Sequence, residues 1–228
     1  MIAPKLITTA DGSHSLFVPE LNETYHSKHG AIQESNHVFI EAGLKSDEVN
    51  LQLKSIDTTL KVLEMGFGTG LNAFLTLFTF PQRIIHYTSL EAYPIDYETV
   101  RKLNYADLFE QEGGRKIFEA LHDCAWNEPV SITPNFQLTK LQQKLEEAIL
   151  PPHHFNVVYY DAFAPEVQAE LWTEEVFEKI YASMQSNGIL TTYCAKGVVK
   201  RTLKKVGFEV VGLPGPPGKR EMTKAVKL

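Results

Sequence analysis

The stretch Lys61-Val62-Leu63-Glu64-Met65-Gly66-Phe67-Gly68-Thr69-Gly70-Leu71-Asn72 decides how the rest of the chain is read. Apolar residues lead into a carboxylate, Gly66, Gly68 and Gly70 then alternate with other residues, and an apolar run from Leu71 through Phe80 follows at helical spacing. The pattern predicts a strand, a tight turn and a helix. Glycine at these positions permits positive φ and leaves main chain bare for a ligand, and the helix N-terminus adds unpaired N–H groups. A glycine run alone also fits an ordinary strand-to-helix turn; the flanking elements and a second acid, Glu91, weigh for a ligand site.

Spacing and Glu64 select the ligand. The dinucleotide fingerprint G-x-G-x-x-G rests a pyrophosphate on the helix N-terminus. Here the third glycine comes one residue early, and a carboxylate before the turn would repel a pyrophosphate, which opposes a nicotinamide-dependent oxidoreductase. The same carboxylate suits a ligand carrying an ammonium group, and Glu64-x-Gly66-x-Gly68-x-Gly70 resembles motif I of the class I S-adenosylmethionine methyltransferases.

At 228 residues the chain fits one α/β domain, or one with a small appendage, and can bury roughly 70 to 75% of its unfolded surface. Cys124 and Cys194 form no metal-ligand spacing and read as inert core thiols of a reducing compartment. His26 and His29 find no further ligand at a useful distance and read as surface histidines, so no metal is expected. No apolar run is long enough to span a bilayer and no signal-peptide pattern opens the chain, which predicts a soluble cytoplasmic protein without a membrane partner. The net charge of −6 argues against nucleic acid, but from Lys196 onward Lys196, Lys200, Arg201, Lys204, Lys205, Lys219, Arg220, Lys224 and Lys227 face only Glu209 and Glu221. A solvated face explains such a cluster equally well unless a second reason points to nucleic acid.

Residues 1–30 are polar and read as a small strand pair or extended arm outside the main sheet, followed by an amphipathic helix over Ala31–Leu44. Strands are predicted at Leu60–Met65 and Arg83–Leu90, the second ending on Glu91, about twenty residues past the glycines, where a Rossmann-like site needs an acceptor for two ribose hydroxyls. A helical run over Asp96–Leu121 is broken at Gly113-Gly114. Pro129–Thr133 and Phe136–Leu138 read as two short strands around Pro134-Asn135 or as one interrupted strand, and a helix at Leu141–Ile149 is closed by Pro151-Pro152. Phe155–Tyr160 is apolar enough for a buried central strand and ends on Asp161-Ala162-Phe163-Ala164-Pro165. A helix over Trp172–Met184 stops at Asn187-Gly188. The strand Ile189–Tyr193, the basic helix Lys196–Lys205 and the strands Phe208–Leu213 and Arg220–Lys227 complete the chain. This order predicts a Rossmann-like α/β fold: a seven-stranded, mostly parallel sheet with a reversed last strand, in a domain over 51–228 with an N-terminal extension, 1–50, packed on it.

Taken together the motifs resemble the methyltransferase domain of the bacterial MnmC family, which completes 5-methylaminomethyl-2-thiouridine at the tRNA wobble position. The resemblance runs through Gly30-Ala31-Ile32-Gln33-Glu34-Ser35, the glycine stretch, Leu90-Glu91-Ala92-Tyr93-Pro94, Tyr160-Asp161-Ala162-Phe163-Ala164-Pro165, Leu171-Trp172-Thr173 and Gly218-Lys219-Arg220-Glu221-Met222. The aspartate-x-phenylalanine-alanine-proline and lysine-arginine-glutamate-methionine elements are the specific ones. Bifunctional members continue into a flavin-dependent oxidase domain; with the chain ending at Leu228, the resemblance implies a stand-alone enzyme without flavin, its amine supplied by a separate enzyme. Where a glycine-aspartate pair often contacts the adenine, this chain reads Gln137-Leu138-Thr139-Lys140, so the adenine contact is unassigned.

The implied reaction is methyl transfer from S-adenosylmethionine to the primary amine of 5-aminomethyl-(2-thio)uridine. Glu64, Gly66, Phe67, Gly68, Thr69, Gly70 and Asn72 are expected to hold the methionine part of the cofactor and Glu91 the ribose. Asp161 is expected to orient the amine, since a carboxylate stabilises the ammonium form and serves poorly as a base. Phe163 is expected to stack on the extruded base, worth about 1 to 3 kcal/mol. Glu34 and Ser35 are expected near the substrate, and Lys196, Lys200, Arg201, Lys204, Lys219 and Arg220 on phosphates of the anticodon stem-loop. The alternative is a transferase acting on a small-molecule amine, which the acidic balance suits and the basic end does not; a non-catalytic RNA-binding protein is opposed by the intact Glu64, Glu91 and Asp161.

Overall fold

The computed structural model describes residues 3–53, 58–109 and 111–228. The polar N-terminal arm folds as a three-stranded antiparallel sheet of β1 (Lys5–Thr8), β2 (His14–Val18) and β3 (Glu23–Thr24). Asp11 builds its first turn: Oδ1 accepts from Ser13 N at 3.0 Å and from Thr9 Oγ1 at 2.8 Å. Asp11 Oδ2 accepts from Gln33 N at 3.0 Å, which ties the arm to the next element. That element is helix α1 (Ala31–Ser35), running directly into a π-helical segment, Asn36–Leu44. Gly43 lets the segment close on the main sheet, since a Cβ there would stand 3.2 Å from Thr191 Oγ1.

Helix α2 (Asp47–Gln52) is capped by Ser46. Strand β4 (Leu60–Met65), helix α3 (Leu71–Thr79) and strand β5 (Ile85–Leu90) follow as the glycine stretch predicts. The expected helical run over Asp96–Leu121 is three short helices, α4 (Tyr97–Val100), α5 (Tyr105–Leu108) and α6 (Gly114–Asp123); Glu110, within it, lies outside the described residues. Strands β6 (Pro129–Thr133) and β7 (Phe136–Leu141) form a hairpin.

The helix expected over Leu141–Ile149 does not form. Leu141 is committed to the sheet by pairing with Leu90, and a single turn, with Ala148 N donating to Lys144 O at 3.1 Å, suffices to bury Leu145 and Ala148. Then come β8 (Phe155–Tyr160), α7 (Glu174–Ser183), β9 (Met184–Thr192), α8 (Gly197–Val206), β10 (Phe208–Pro214) and β11 (Glu221–Lys227). Asn187-Gly188, expected to stop a helix, instead lies within β9, where pairing with β8 shifts register between Phe155 and Val157.

The main sheet has eight strands in the order β10-β11-β9-β8-β4-β5-β7-β6, parallel from β9 to β7, with β11 inserted antiparallel between β9 and β10. The antiparallel edge strand β6 is one more than the seven expected. One face is covered by the π-helical segment, α3 and α6, through Phe39, Phe74 and Phe118; α7 and α8 cover the other, through Phe177, Ile180 and Leu203. Chain order runs outward from β4 to β5 and returns to β8 on the other side, so a crevice opens at the carboxyl ends of these strands. No helix among the described residues is long and apolar enough to cross a membrane.

Phe74 anchors one layer, fully buried with its ring 5.0 Å from Phe78 and 5.6 Å from both Phe109 and Phe118. Phe74→Ala should lower the unfolding free energy by about 3 to 5 kcal/mol in urea denaturation. A loss below about 1 kcal/mol would contradict this packing.

Candidate active site

Gly66, Gly68 and Gly70 have φ of 87°, 48° and 71°, a region costly for residues with a Cβ. The turn is also crowded: a Cβ on Gly66 would stand 3.3 Å from Asp161 O, on Gly68 3.0 Å from the Tyr25 ring, and on Gly70 2.7 Å from His122 Nε2. Thr69 is clasped from two sides, its Oγ1 2.8 Å from His26 Nε2 and its carbonyl accepting from His122 Nε2–H at 3.1 Å. Burial lowers both histidines to about 4, leaving them neutral near pH 7, and the nearby Lys140 cation acts on His122 in the same direction. His26 is therefore no surface histidine. The contact joins the N-terminal arm to the glycine turn across 43 positions, so no local pattern marks it.

Three acids stand at the ends of β4, β5 and β8. Glu91 accepts from Gly68 N at 3.0 Å and Tyr93 N at 2.8 Å. Asp161 Oδ2 accepts from Asn72 Nδ2 at 2.9 Å, on the first turn of α3. Glu64 lies one layer below, 1% exposed, accepting from Ser89 Oγ at 2.7 Å. Burial pushes Glu64 up to about 8, and the charge of Asp161 adds to that. Burial likewise pushes Asp161 up to about 7, with Glu34 adding to the shift and Asn72 and Lys219 opposing it. Glu64 is therefore protonated near pH 7; nearby, the buried Oδ1 of Asn72 has no hydrogen-bond partner among the described residues.

A cavity of about 1000 Å³ fills the crevice, the upper end of the range for ligand pockets and roomy enough for two ligands side by side. Gly66, Phe67, Gly68, Thr69, Asn72, Glu91, Asp161, Phe163 and Glu34 line it; Glu64, Gly70 and Ser35 do not. Glu64 sits beneath the turn, Gly70 backs onto His122, and Ser35, one position around α1 from Glu34, is turned into the core. Tyr25 and Phe163 meet edge to face at 5.3 Å. The Phe163 loop is pinned by Trp172 Nε1 donating to Phe163 O and Tyr193 Oη donating to Ala162 O, each at 2.8 Å. On the side expected to meet adenine, Leu138 is fully buried and the wall is Gln142, Gln143, Lys144 and Leu145, because β7 runs three residues further than predicted. Lys140 is buried as well, donating to His122 O at 2.6 Å and lying 4.6 Å from the Trp126 ring centroid.

The charges sort by location. Glu20, Glu23, Glu34, Glu91, Asp96, Glu146, Asp161 and Glu170 line the cavity against Lys144 and Lys219. Of the basic residues expected on phosphates, Lys200 pairs with Glu221 at 2.8 Å, Lys196 with Glu166, and Lys219 turns inward to Glu34 at 2.7 Å. Arg201, Lys204 and Arg220 are exposed.

A family model described as S-adenosyl-L-methionine-dependent methyltransferase matches residues 127–228. Over 224 residues the chain is 30% identical to the tRNA 5-methylaminomethyl-2-thiouridine biosynthesis bifunctional protein MnmC of Cupriavidus metallidurans, covering 92% of this chain and 32% of that protein. The MnmC of Pseudoalteromonas atlantica is also 30% identical, over 230 residues, 93% of this chain and 32% of that protein. Residues 127–228 are thus similar to the S-adenosylmethionine-dependent methyltransferases. It spans about a third of the length of the curated relatives it matches. Among solved structures, MnmC2 from Aquifex aeolicus matches with a TM-score of 0.78 at 24% identity, covering 98% of this chain and 69% of that one, so the fold is shared.

The residues of the site fit S-adenosylmethionine, the cofactor of the family whose model matches. Glu91 keeps lone pairs for a ribose diol, the glycine turn leaves main chain bare, and the surplus of carboxylates suits a sulfonium and an ammonium group.

The buried carboxyls also set a stability profile. A folded-state value above the ordinary one means that the native protein keeps a proton the unfolded chain has lost, so this stability falls as pH rises from about 4.5 to about 8 for Glu64. Glu64→Gln should be the more stable form at the upper end of that window by a few kcal/mol relative to its difference at the lower end, measured by urea denaturation at both. Parallel pH dependences of the two proteins would contradict the burial of an ionisable Glu64.

Proposed function

We propose that this chain methylates the primary amine of 5-aminomethyl-(2-thio)uridine at the tRNA wobble position, using S-adenosylmethionine. The observation that carries the reading is Asp161: a carboxyl at the end of β8, bonded to Asn72, beside the glycine turn and followed by an aromatic that lines the same acidic cavity. The relatives' names supply the nucleoside.

When bound, the cofactor offers a methyl group on a sulfonium that departs as a neutral thioether. The chain's residues supply placement and a proton acceptor. A carboxylate of ordinary acidity would hold an ammonium group without deprotonating it. Burial pushes Asp161 up to about 7, which brings it within range of taking the proton as well as orienting the nitrogen. The ammonium N–H then breaks, its proton passing to Asp161. The nitrogen lone pair so freed would be aimed by Asp161 at the methyl group that the cofactor supplies when bound. Alignment of nitrogen, carbon and sulfur can contribute on the order of 7 to 11 kcal/mol.

Phe163 and Tyr25 offer an aromatic corner for an extruded pyrimidine. RNA phosphates are excluded from the acidic interior and fall to the exposed Arg201, Lys204 and Arg220 outside it.

The test is transfer of labelled methyl from S-adenosylmethionine to bulk tRNA from cells lacking this gene, with nucleoside analysis. Label is expected in 5-methylaminomethyl uridines. Asp161→Ala should reduce transfer at least about a hundredfold while calorimetry shows S-adenosylhomocysteine still binding. Label absent from RNA but present on a small amine would overturn the assignment.

A further inference from the structure

Lys219 follows the stiff loop Gly215-Pro216-Pro217-Gly218 between β10 and β11, and Glu34 belongs to α1, 185 positions earlier. The loop is seated on the N-terminal arm, with Gly218, at φ 85°, packed against the His29 ring. Lys219 Nζ donates to Glu34 Oε1 at 2.7 Å and lies 3.8 Å from the Tyr193 ring centroid. Glu34 Oε2 accepts from Ser27 N at 2.7 Å. The Glu34 side chain is 8% exposed and that of Lys219 33%. Both line the cavity with Asp161, and the Tyr193 ring beneath Lys219 carries the hydroxyl that holds Ala162, the residue after Asp161.

A lysine serving the phosphate backbone stands in solvent with its charge available, as Arg201 and Lys204 do. Lys219 is spent inward on a buried carboxylate and an aromatic face. We infer that Glu34 and Lys219 are positioning residues of the methyl-transfer site, which set the charge around Asp161, and are not contacts for the RNA backbone. The inference rests on the amine-methylation reading.

Asp161 is faced by Asn72 from α3, Glu64 from β4, Tyr87 from β5, Glu34 from the arm side, Lys219 from the C-terminal hairpin and Tyr193 beyond β9. Within that shell Glu34 disfavours an anionic Asp161 and Lys219 favours one. Unpaired, Glu34 would push the Asp161 midpoint higher; the Lys219 cation opposes that push.

The test is a carbon-13 NMR titration of the aspartate side-chain carboxyls in the protein alone, with Asp161→Asn identifying the signal. Lys219→Met should move the Asp161 midpoint up by about one pH unit or more, and Glu34→Gln should move it down. Lys219→Arg should restore it. Glu34→Gln keeps an acceptor for Ser27 N, and S-adenosylhomocysteine binding by calorimetry confirms that each variant is folded. In the tRNA assay, the pH midpoint of kcat/KM should follow the same shifts while the salt dependence of KM stays unchanged. An Asp161 midpoint unmoved in both Glu34→Gln and Lys219→Met overturns the inference, as does a salt slope reduced by about one in Lys219→Met. The titration needs neither RNA nor cofactor, so an inactive wild-type protein in the tRNA assay would count against the proposed function and leave this result separately readable.

Discussion

The site depends on holding carboxyl groups close together at the ends of adjacent parallel strands. Glu64, buried in β4, and Asp161, half-buried in the cavity wall just past β8, cannot both ionise at little cost. The surroundings answer that constraint. Ser89 and Asn72 hydrogen-bond the two carboxyls, Gly68 N–H and Tyr93 N–H hold Glu91, and Lys219 offsets Glu34. The alternating glycines serve the same geometry, since a Cβ at Gly66 would press on the backbone of Asp161.

Such an interior is selective by charge. Acidic side chains dominate the cavity wall, so a sulfonium and an amine are attracted and a phosphate is repelled. On the proposed reading, a polyanionic substrate would present only one extruded nucleoside to the cavity and leave its backbone to exposed cations outside. The N-terminal arm belongs to this arrangement: Tyr25 covers Gly68, and His26 braces Thr69.

The parts of the molecule legible in the sequence are those set by local pattern. The glycine turn between β4 and α3, the fully buried β8, and the acids ending β5 and β8 each follow from a few consecutive residues. The misreadings come from long-range contact. Leu141, Leu145 and Ala148 have helical spacing, yet Leu141 is claimed by the sheet. His26 and Lys219 have the look of surface residues until partners 43 and 185 positions away are brought to them. The basic C-terminal run was visible as composition, but composition does not say that Lys200 and Lys219 already have carboxylate partners.

The central claim is that Asp161 receives the proton of the acceptor amine. The most direct measurement is kcat/KM for 5-aminomethyl-uridine tRNA from about pH 5.5 to about pH 8.5, which reports ionisations of the free enzyme. Ionisation of Asp161 near 7 predicts a rate that climbs about tenfold per pH unit below that value and bends there, with the bend absent in Asp161→Asn. A profile flat through neutrality, or one whose bend persists in Asp161→Asn, would contradict the account.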